Sequence, residues 1–286
     1  RGGAGRVCRA CTHDPMRSPL QSPAYNGAMW TAITREVSPA LAACELSFVP
    51  RAPIDVGRAQ AQHDAYCAVL ESLGCGVIRL PAEPALPDSV FVEDVALAFD
   101  EVAVATRPGA ESRRDEGHAV LEVLGSVRRI LRIEAPGTLD GGDVLRIGKR
   151  VFVGISARSN AAGREQLCVL LAPFGYTVEG VATRDCLHLK SAVTQVADDV
   201  VLVNPAWVDV AAFADYRMLE VDPAEEHAAN AVRIGDVLVY PDCFPRTLER
   251  LRAAGIQVAT VDVSELQKAE GAVTCCSVLL KAGPVG

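Results

Sequence analysis

The strongest constraint on the fold is a loose repeat, about 35 to 50 residues long, in the order strand, tight polar turn, strand, loop, helix, strand. Val95 to Phe99, the turn Asp100-Glu101 and Val102 to Thr106 read as a hairpin, followed by an amphipathic stretch Glu116 to Leu124 and a strand Ile130 to Ile133. The next copy has the hairpin Val144 to Ile147, Gly148-Lys149, Val151 to Ile155, then the helix Ala162 to Leu171 and the strand Tyr176 to Val181. A third runs Ala192 to Val196, Asp198-Asp199, Val200 to Asn204, a short helix Val208 to Phe213 and a strand Met218 to Val221. A fourth runs Asn230 to Ile234, Gly235-Asp236, Val237 to Tyr240, a helix Thr247 to Ala254 and a strand Val258 to Val263. The N-terminal part fits a less regular fifth copy: Thr31 to Arg35, a long loop, the helix Val56 to Leu73 and the strand Gly76 to Leu80, with Cys276 to Leu280 as a closing strand.

Units of this kind each leave an apolar face uncovered, and a ring buries those faces against neighbours. The polar turns then point to one end, leaving residues at strand starts and in the longer loops to converge on a central pocket. The competing architecture is a doubly wound parallel sheet. Against it, the hairpins require antiparallel pairs. Asp140-Gly141-Gly142-Asp143, the nearest glycine-rich candidate for a phosphate cradle, leads into a strand instead of opening a helix.

Composition narrows the function classes. A chain of 286 residues that is 50% hydrophobic and 22% charged has ample material for a core. Its apolar runs fall far short of the roughly 20 residues that cross a bilayer, so no membrane association is expected. A net charge of −8 with dispersed acids argues against nucleic acid as a partner and suits a small cationic ligand, although solubility alone would explain it equally well.

Of ten cysteines, Cys67, Cys75, Cys168, Cys186 and Cys243 sit singly among apolar residues, where a free thiol behaves as a small buried hydrophobe; a reducing, cytoplasmic setting is expected. Cys8 and Cys11, with His13 close behind, have no second pair at zinc-ligand spacing, so no metal is assigned there. Residues 1–28, rich in Arg, Gly, Pro and Ser, read as a disordered leader or an artefact ahead of Met29-Trp30, and residues 29–286 as a single catalytic domain.

Three segments could carry chemistry. Gly271 and Val273-Thr274-Cys275-Cys276-Ser277 lie at the mouth of the closing strand, where alternation turns Cys275 and Cys276 opposite ways. A purely structural cysteine is as good a reading from these residues alone. In Cys186-Leu187-His188-Leu189-Lys190, alternation sets His188 opposite two leucines and against something polar. In Asp88-Ser89-Val90-Phe91-Val92-Glu93-Asp94, read as strand-prone, alternation puts Asp88 and Asp94 on one face and Glu93 on the other. Carboxylates in such apolar surroundings need a cation or hydrogen-bond donors, and a guanidinium supplies five donors in a planar fork.

Taken with Thr138-Leu139-Asp140-Gly141-Gly142-Asp143, Leu187-His188-Leu189-Lys190-Ser191 and Ser264-Glu265-Leu266, these segments strongly resemble the dimethylarginine dimethylaminohydrolase family of the guanidino-group-modifying superfamily. The match runs in order from about Ile33 to Lys281. The resemblance implies a five-bladed pseudosymmetric α/β-propeller. It also implies that Cys275 attacks the guanidinium carbon of a methylated arginine, that His188 protonates the departing amine and then activates water, and that Asp140 orients the histidine. Asp88, Glu93 and Asp94 would serve the guanidinium, and Arg113 and Arg158 would hold the substrate carboxylate. Leu46 and Ala269 would line the amino-acid end, where Ala269 departs from a commoner bulkier residue.

The resemblance requires no cofactor and no metal, although a cysteine and histidine in one pocket could capture zinc as an inhibitor. Arginine deiminase, a hydrolase of another substituted arginine and, less so, an amidinotransferase are the enzymatic alternatives; a non-catalytic arginine sensor is the alternative of another class. A monomer and a homodimer fit the sequence equally.

Overall fold

The computed structural model describes residues 29–281. The expected leader, with Cys8, Cys11 and His13, lies outside the described residues.

Each repeat folds into one three-stranded sheet. The first unit contributes β1 (Trp30–Arg35), α1 (Val56–Ser72) and β2 (Cys75–Leu80). The Asp55 carboxylate opens α1 by accepting the Arg58 N–H at 3.0 Å, satisfying one of the free donors of a helix start. The second unit has β3 (Ala96–Ala98), β4 (Val102–Ala105), α2 (His118–Gly125) and β5 (Arg129–Arg132). The third has β6 (Val144–Ile147), β7 (Arg150–Ile155), α3 (Ala161–Leu171) and β8 (Thr177–Ala182).

In the fourth unit a single turn, α4 (Leu189–Ala192), leads into β9 (Val193–Ala197), β10 (Val200–Val203) and β11 (Arg217–Glu220). The fifth has β12 (Val232–Ile234), β13 (Val237–Pro241), α5 (Pro245–Ala253), β14 (Gln257–Val261) and a short α6 (Ser264–Gln267). The last strand, β15 (Val278–Lys281), returns to pair antiparallel with β1, Ile33 facing Val278. In every sheet the middle strand is antiparallel to one neighbour and parallel to the strand beyond the crossover.

The five inner strands β3, β6, β9, β12 and β15 share one central cavity of about 230 Å³. Turn residues Asp100, Gly148, Asp198 and Gly235 ring its outer end with Lys281. This is the ring expected from the repeat and the five-bladed α/β-propeller that the resemblance implies. Adjacent blades are stitched at that rim by a joint used twice. Arg146 donates to its own turn at the Gly148 carbonyl and pairs with Asp100 of the previous blade at 2.5 Å; Arg233 does the same with Gly235 and Asp198, at 2.6 Å.

The apolar core is divided among the blade interfaces. Ile33, Val278 and Leu280 of the first sheet pack with Val92, Val95, Ala103 and Leu124 of the next unit. Val102 and Val104 pack in turn with Val151, Val153 and Leu167. Each sheet thus covers the face its neighbour leaves open, which is why the units need one another.

Several local expectations change. Residues 88–94 form no strand: Phe91 N–H bonds the Asp88 carbonyl in a turn, and Val92–Val95 is a 3-10 turn that buries Glu93 and Asp94 together. Buried partners for both acids outweigh the strand propensity of the valines. The chain around His188 bends instead of alternating, and His188 is the residue that caps α4. Cys275 and Cys276 lie in a turn ahead of β15, and the helix expected at Val208 to Phe213 is a 3-10 turn at Val210–Phe213. Cys67, Cys75 and Cys186 are buried as expected, but Cys168, on α3, and Cys243, in the turn between β13 and α5, are exposed.

Because Ile33 is fully buried where the first and last strands meet the second unit, Ile33→Ala is expected to cost about 2 to 5 kcal/mol of stability, read from the urea midpoint.

Candidate active site

The side chains singled out for chemistry gather at the end of the ring opposite the hairpin turns. Asp140, fully buried, accepts the Gly109 N–H on Oδ1 at 2.8 Å and meets His188 Nε2 with Oδ2 at 3.0 Å. The other imidazole nitrogen lies 4.0 Å from Asp94 Oδ1. Two glycines make this approach possible. A Cβ on Gly142 would stand 2.5 Å from His188 Nδ1, and one on Gly141 would stand 1.9 Å from the Glu93 carbonyl oxygen. The bare Gly142 backbone instead donates its N–H to Asp94 Oδ1 at 2.8 Å. Asp143 holds the turn carrying His188, accepting Leu189 N–H at 3.0 Å and the hydroxyls of Ser156 and Ser159.

Asp94 is shared. Its second oxygen takes Arg113 Nη1 at 2.6 Å, while the rest of that guanidinium is engaged by Glu116 and the carbonyls of Asp88 and Phe91. Arg113 lines the pocket yet is almost wholly buried. Arg158 is freer: Nη2 reaches Ser47 Oγ at 3.2 Å, and Nη1 lies 3.9 Å from Asp140.

Cys275 sits on the facing turn, its backbone tied to Ala272 and, through its carbonyl, to the Glu93 N–H. Cys275, His188, Asp88, Asp94, Arg113, Arg158 and Ala269 line one small pocket with Glu45, Phe91, Leu187, Glu270 and Gly271. Three candidates lie outside that lining. Asp140 stands behind His188. Glu93 faces the central cavity, where Lys190 Nζ pairs with it at 2.5 Å and Thr274 Oγ1 donates to it at 2.8 Å. Leu46 packs against the apolar cluster between the first and last units.

Burial acts on each titratable group, and the neighbours decide the outcome. Burial alone would depress His188, but the carboxylate of Asp94, the hydrogen bond to Asp140 and the charge of Asp143 raise it to about 9. Burial would raise Asp94, yet His188 and Arg113 outweigh it and hold the carboxyl at about 2. For Cys275 burial and the acids Glu93 and Asp94 act in the same direction, pushing the thiol up to about 12. At neutral pH the pocket therefore holds a charged imidazolium, a charged carboxylate and a neutral thiol. Among the described residues, Asp94, Asp140 and His188 bring ligand atoms within 4.8 Å of one another, the one grouping compact enough for a metal ion. All three already serve the network above.

Sequence reasoning assigned no role to Asn230, Glu116, Lys190 or Thr274. Asn230 donates to Thr274 Oγ1 and the Lys190 carbonyl, and accepts the Thr274 N–H. No local pattern marks it, since its partners lie 40 and 44 residues away.

Fold and pocket together define a five-bladed α/β-propeller whose pocket joins a half-buried cysteine to a buried histidine and buried carboxylates. Residues 52–215 match the family described as N,N dimethylarginine dimethylhydrolase, eukaryotic. A dimethylarginine dimethylaminohydrolase of Streptomyces coelicolor is 41% identical over 252 residues, 87% of this chain and 96% of that protein. The Pseudomonas aeruginosa enzyme of the same name is 36% identical over 225 residues, 78% and 89% of the respective chains. The chain belongs to the dimethylarginine dimethylaminohydrolase family. A solved member of that family, an adduct with S-methyl-L-thiocitrulline, superposes with a TM-score of 0.84 at 33% identity, covering 87% of this chain and 99% of its own. The P. aeruginosa enzyme with its cysteine changed to serine and citrulline bound superposes at 0.83, with 32% identity and 87% and 98% coverage. A cyanobacterial arginine dihydrolase domain, 16% identical, shares the fold at 0.76 with 89% and 99% coverage.

In an NMR titration the His188 imidazole is expected to change charge near pH 9 instead of near 6.5, and Asp140→Asn to lower that value. Since folding raises this pKa, the associated stability is complete below about 6.5 and is lost as pH rises through about 9. Gly142→Ala, which drives a methyl into His188, is expected to keep the circular dichroism spectrum while lowering activity by about 100-fold or more.

Proposed function

We propose that this chain hydrolyses Nω-methylated arginine, asymmetric dimethylarginine and monomethylarginine, to citrulline and the corresponding methylamine through a covalent thiouronium on Cys275. The observation that carries the reading is the convergence of Cys275, His188 and the acids Asp88 and Asp94 on one pocket. A guanidinium is itself a cation and satisfies the surplus of carboxylates there. Its arrival beside the thiol supplies the charge that Cys275 otherwise lacks, so substrate binding favours the thiolate.

In this reading Cys275 gives up its thiol proton to solvent as the cationic substrate binds, the thiolate attacks the guanidinium carbon, and His188, already charged, passes its own proton to the departing amine. The C–N bond breaks, leaving the carbon bonded to sulfur. His188, now neutral, takes one proton from water as the oxygen adds to that carbon; breakage of the C–S bond then releases citrulline, and the remaining hydroxyl proton returns to the sulfur as the thiol is restored. Asp140 fixes the imidazole orientation throughout. Arg158 receives the substrate carboxylate; Arg113, with its donors taken by Asp94, Glu116 and two carbonyls, serves the site by holding Asp94 in place. Leu46 and Ala269 bound the amino-acid end, and Glu93 supports the pocket floor through Lys190 and Thr274. Burial of Cys67, Cys75 and Cys186 as free thiols supports a reducing, cytoplasmic setting. No helix among the described residues is long and apolar enough to cross a membrane.

The test is citrulline formation from asymmetric dimethylarginine, monomethylarginine and arginine by wild type and Cys275→Ser. The methylated substrates are expected to turn over, and the variant to lose more than about 10³-fold. Preferential turnover of arginine would reassign the chain to the deiminases, and no turnover of any substrate by folded wild type would sink the reading. Iodoacetamide labelling followed by mass spectrometry is expected to modify Cys275 slowly at pH 7.5 and progressively faster toward its raised pKa of about 12.

A further inference from the structure

The catalytic pocket encloses only about 20 Å³, room for little more than one water and far too small for an amino acid. Substrate entry therefore requires a wall to move. One wall is the strap of residues 45–49, which crosses between the pocket, lined by Glu45, and a larger neighbouring cavity of about 270 Å³, lined by Phe48 and Val49. The two cavities share Leu187, Glu270 and Gly271.

At one end the strap is pinned by Glu45, whose N–H bonds Asp88 Oδ2 at 3.1 Å and whose carboxylate accepts Ser112 Oγ at 2.7 Å. At the other end one side chain does most of the holding. Glu270 Oε2 accepts the Ser47 N–H at 2.9 Å, and Oε1 accepts the Val49 N–H at 2.7 Å together with the Phe48 N–H. Three successive backbone donors closing on one carboxylate form an anion nest, made here by the strap and filled from more than 200 residues away.

The backbone under Glu270 is unusual as well. Glu270 follows α6 with a φ of +57°, the left-handed region where glycine is the usual residue. The neighbouring glycine is committed elsewhere: a Cβ on Gly271 would lie 2.2 Å from the Phe91 ring. A glutamate held in a strained conformation, with its carboxylate fully used by a loop over the pocket, marks a functional constraint.

We propose that Glu270 is a positioning residue that latches the 45–49 strap across the catalytic pocket, acting on substrate through the strap and through Leu46. The inference rests on the pocket assignment made under the proposed function. Opening the latch joins the pocket to the larger cavity and frees Ser47 from Arg158, so that Arg158 can turn to an incoming carboxylate; closing it around substrate restores the three hydrogen bonds. Loss of the latch weakens capture more than chemistry.

The test combines hydrogen exchange with kinetics on the full chain, comparing wild type with Glu270→Gln, which keeps the shape but presents an amide N–H₂ to the nest. Exchange at the amides of 47–49 is expected to quicken about tenfold or more relative to the β10 amides of the same sample, which corrects for any global loss of stability. For asymmetric dimethylarginine, KM is expected to rise about tenfold with kcat within about threefold. Unchanged relative exchange at 47–49, or a fall in kcat at constant KM, would overturn the latch. If wild type turned over no methylated arginine, the substrate assignment would fail while the exchange ratio still decided the latch.

Discussion

The Asp94 carboxylate lies in the interior, where a bare charge is costly, and the site is organised around meeting that cost. Arg113 binds one oxygen, the Gly142 N–H binds the other, and His188 stands close enough to stay protonated because of it. Each partner comes from a different stretch of chain, so the three stretches are fixed relative to one another. Removing Arg113 would leave the buried carboxylates of Asp94 and Glu116 without the cation they share, which is far less favourable than the intact network.

The same charges set the chemistry. Asp94, which helps to hold His188 as an acid, also joins burial and Glu93 in opposing ionisation of Cys275. The Cys275 thiol is therefore held neutral, and a cation beside it would favour the thiolate. The Lys190 and Glu93 pair, braced by Thr274 and Asn230, belongs to the floor between pocket and central cavity. There its role is to place the Cys275 turn, since Thr274 is the adjacent residue.

The propeller supplies the geometry that these charges need. No blade has a core of its own, so burial is completed only when all five meet, and β15 must return to β1 to complete the first sheet. Ring closure is thus also the step that carries Cys275 to the pocket, because it lies just ahead of β15. Stability and site assembly are the same event in this chain.

The sequence by itself determined the repeat, the sheets and the ring. These rest on short-range alternation, on turn residues such as Gly148 and Gly235 whose positive φ suits glycine, and on each unit's uncovered apolar face. It also marked Cys275, His188 and Asp140 by family motif. Local pattern misread residues 88–94 as a strand, because the valines there carry a β signal while the partners that pull Glu93 and Asp94 inward lie far along the chain. Only the tertiary structure decided that Arg113 is engaged inside the protein, that Asn230 braces the Cys275 turn, and that Glu270 reaches back to residues 47–49. Hydrogen bonds between distant segments leave no periodicity in the sequence; they exist only once the ring has brought their donors and acceptors to one end.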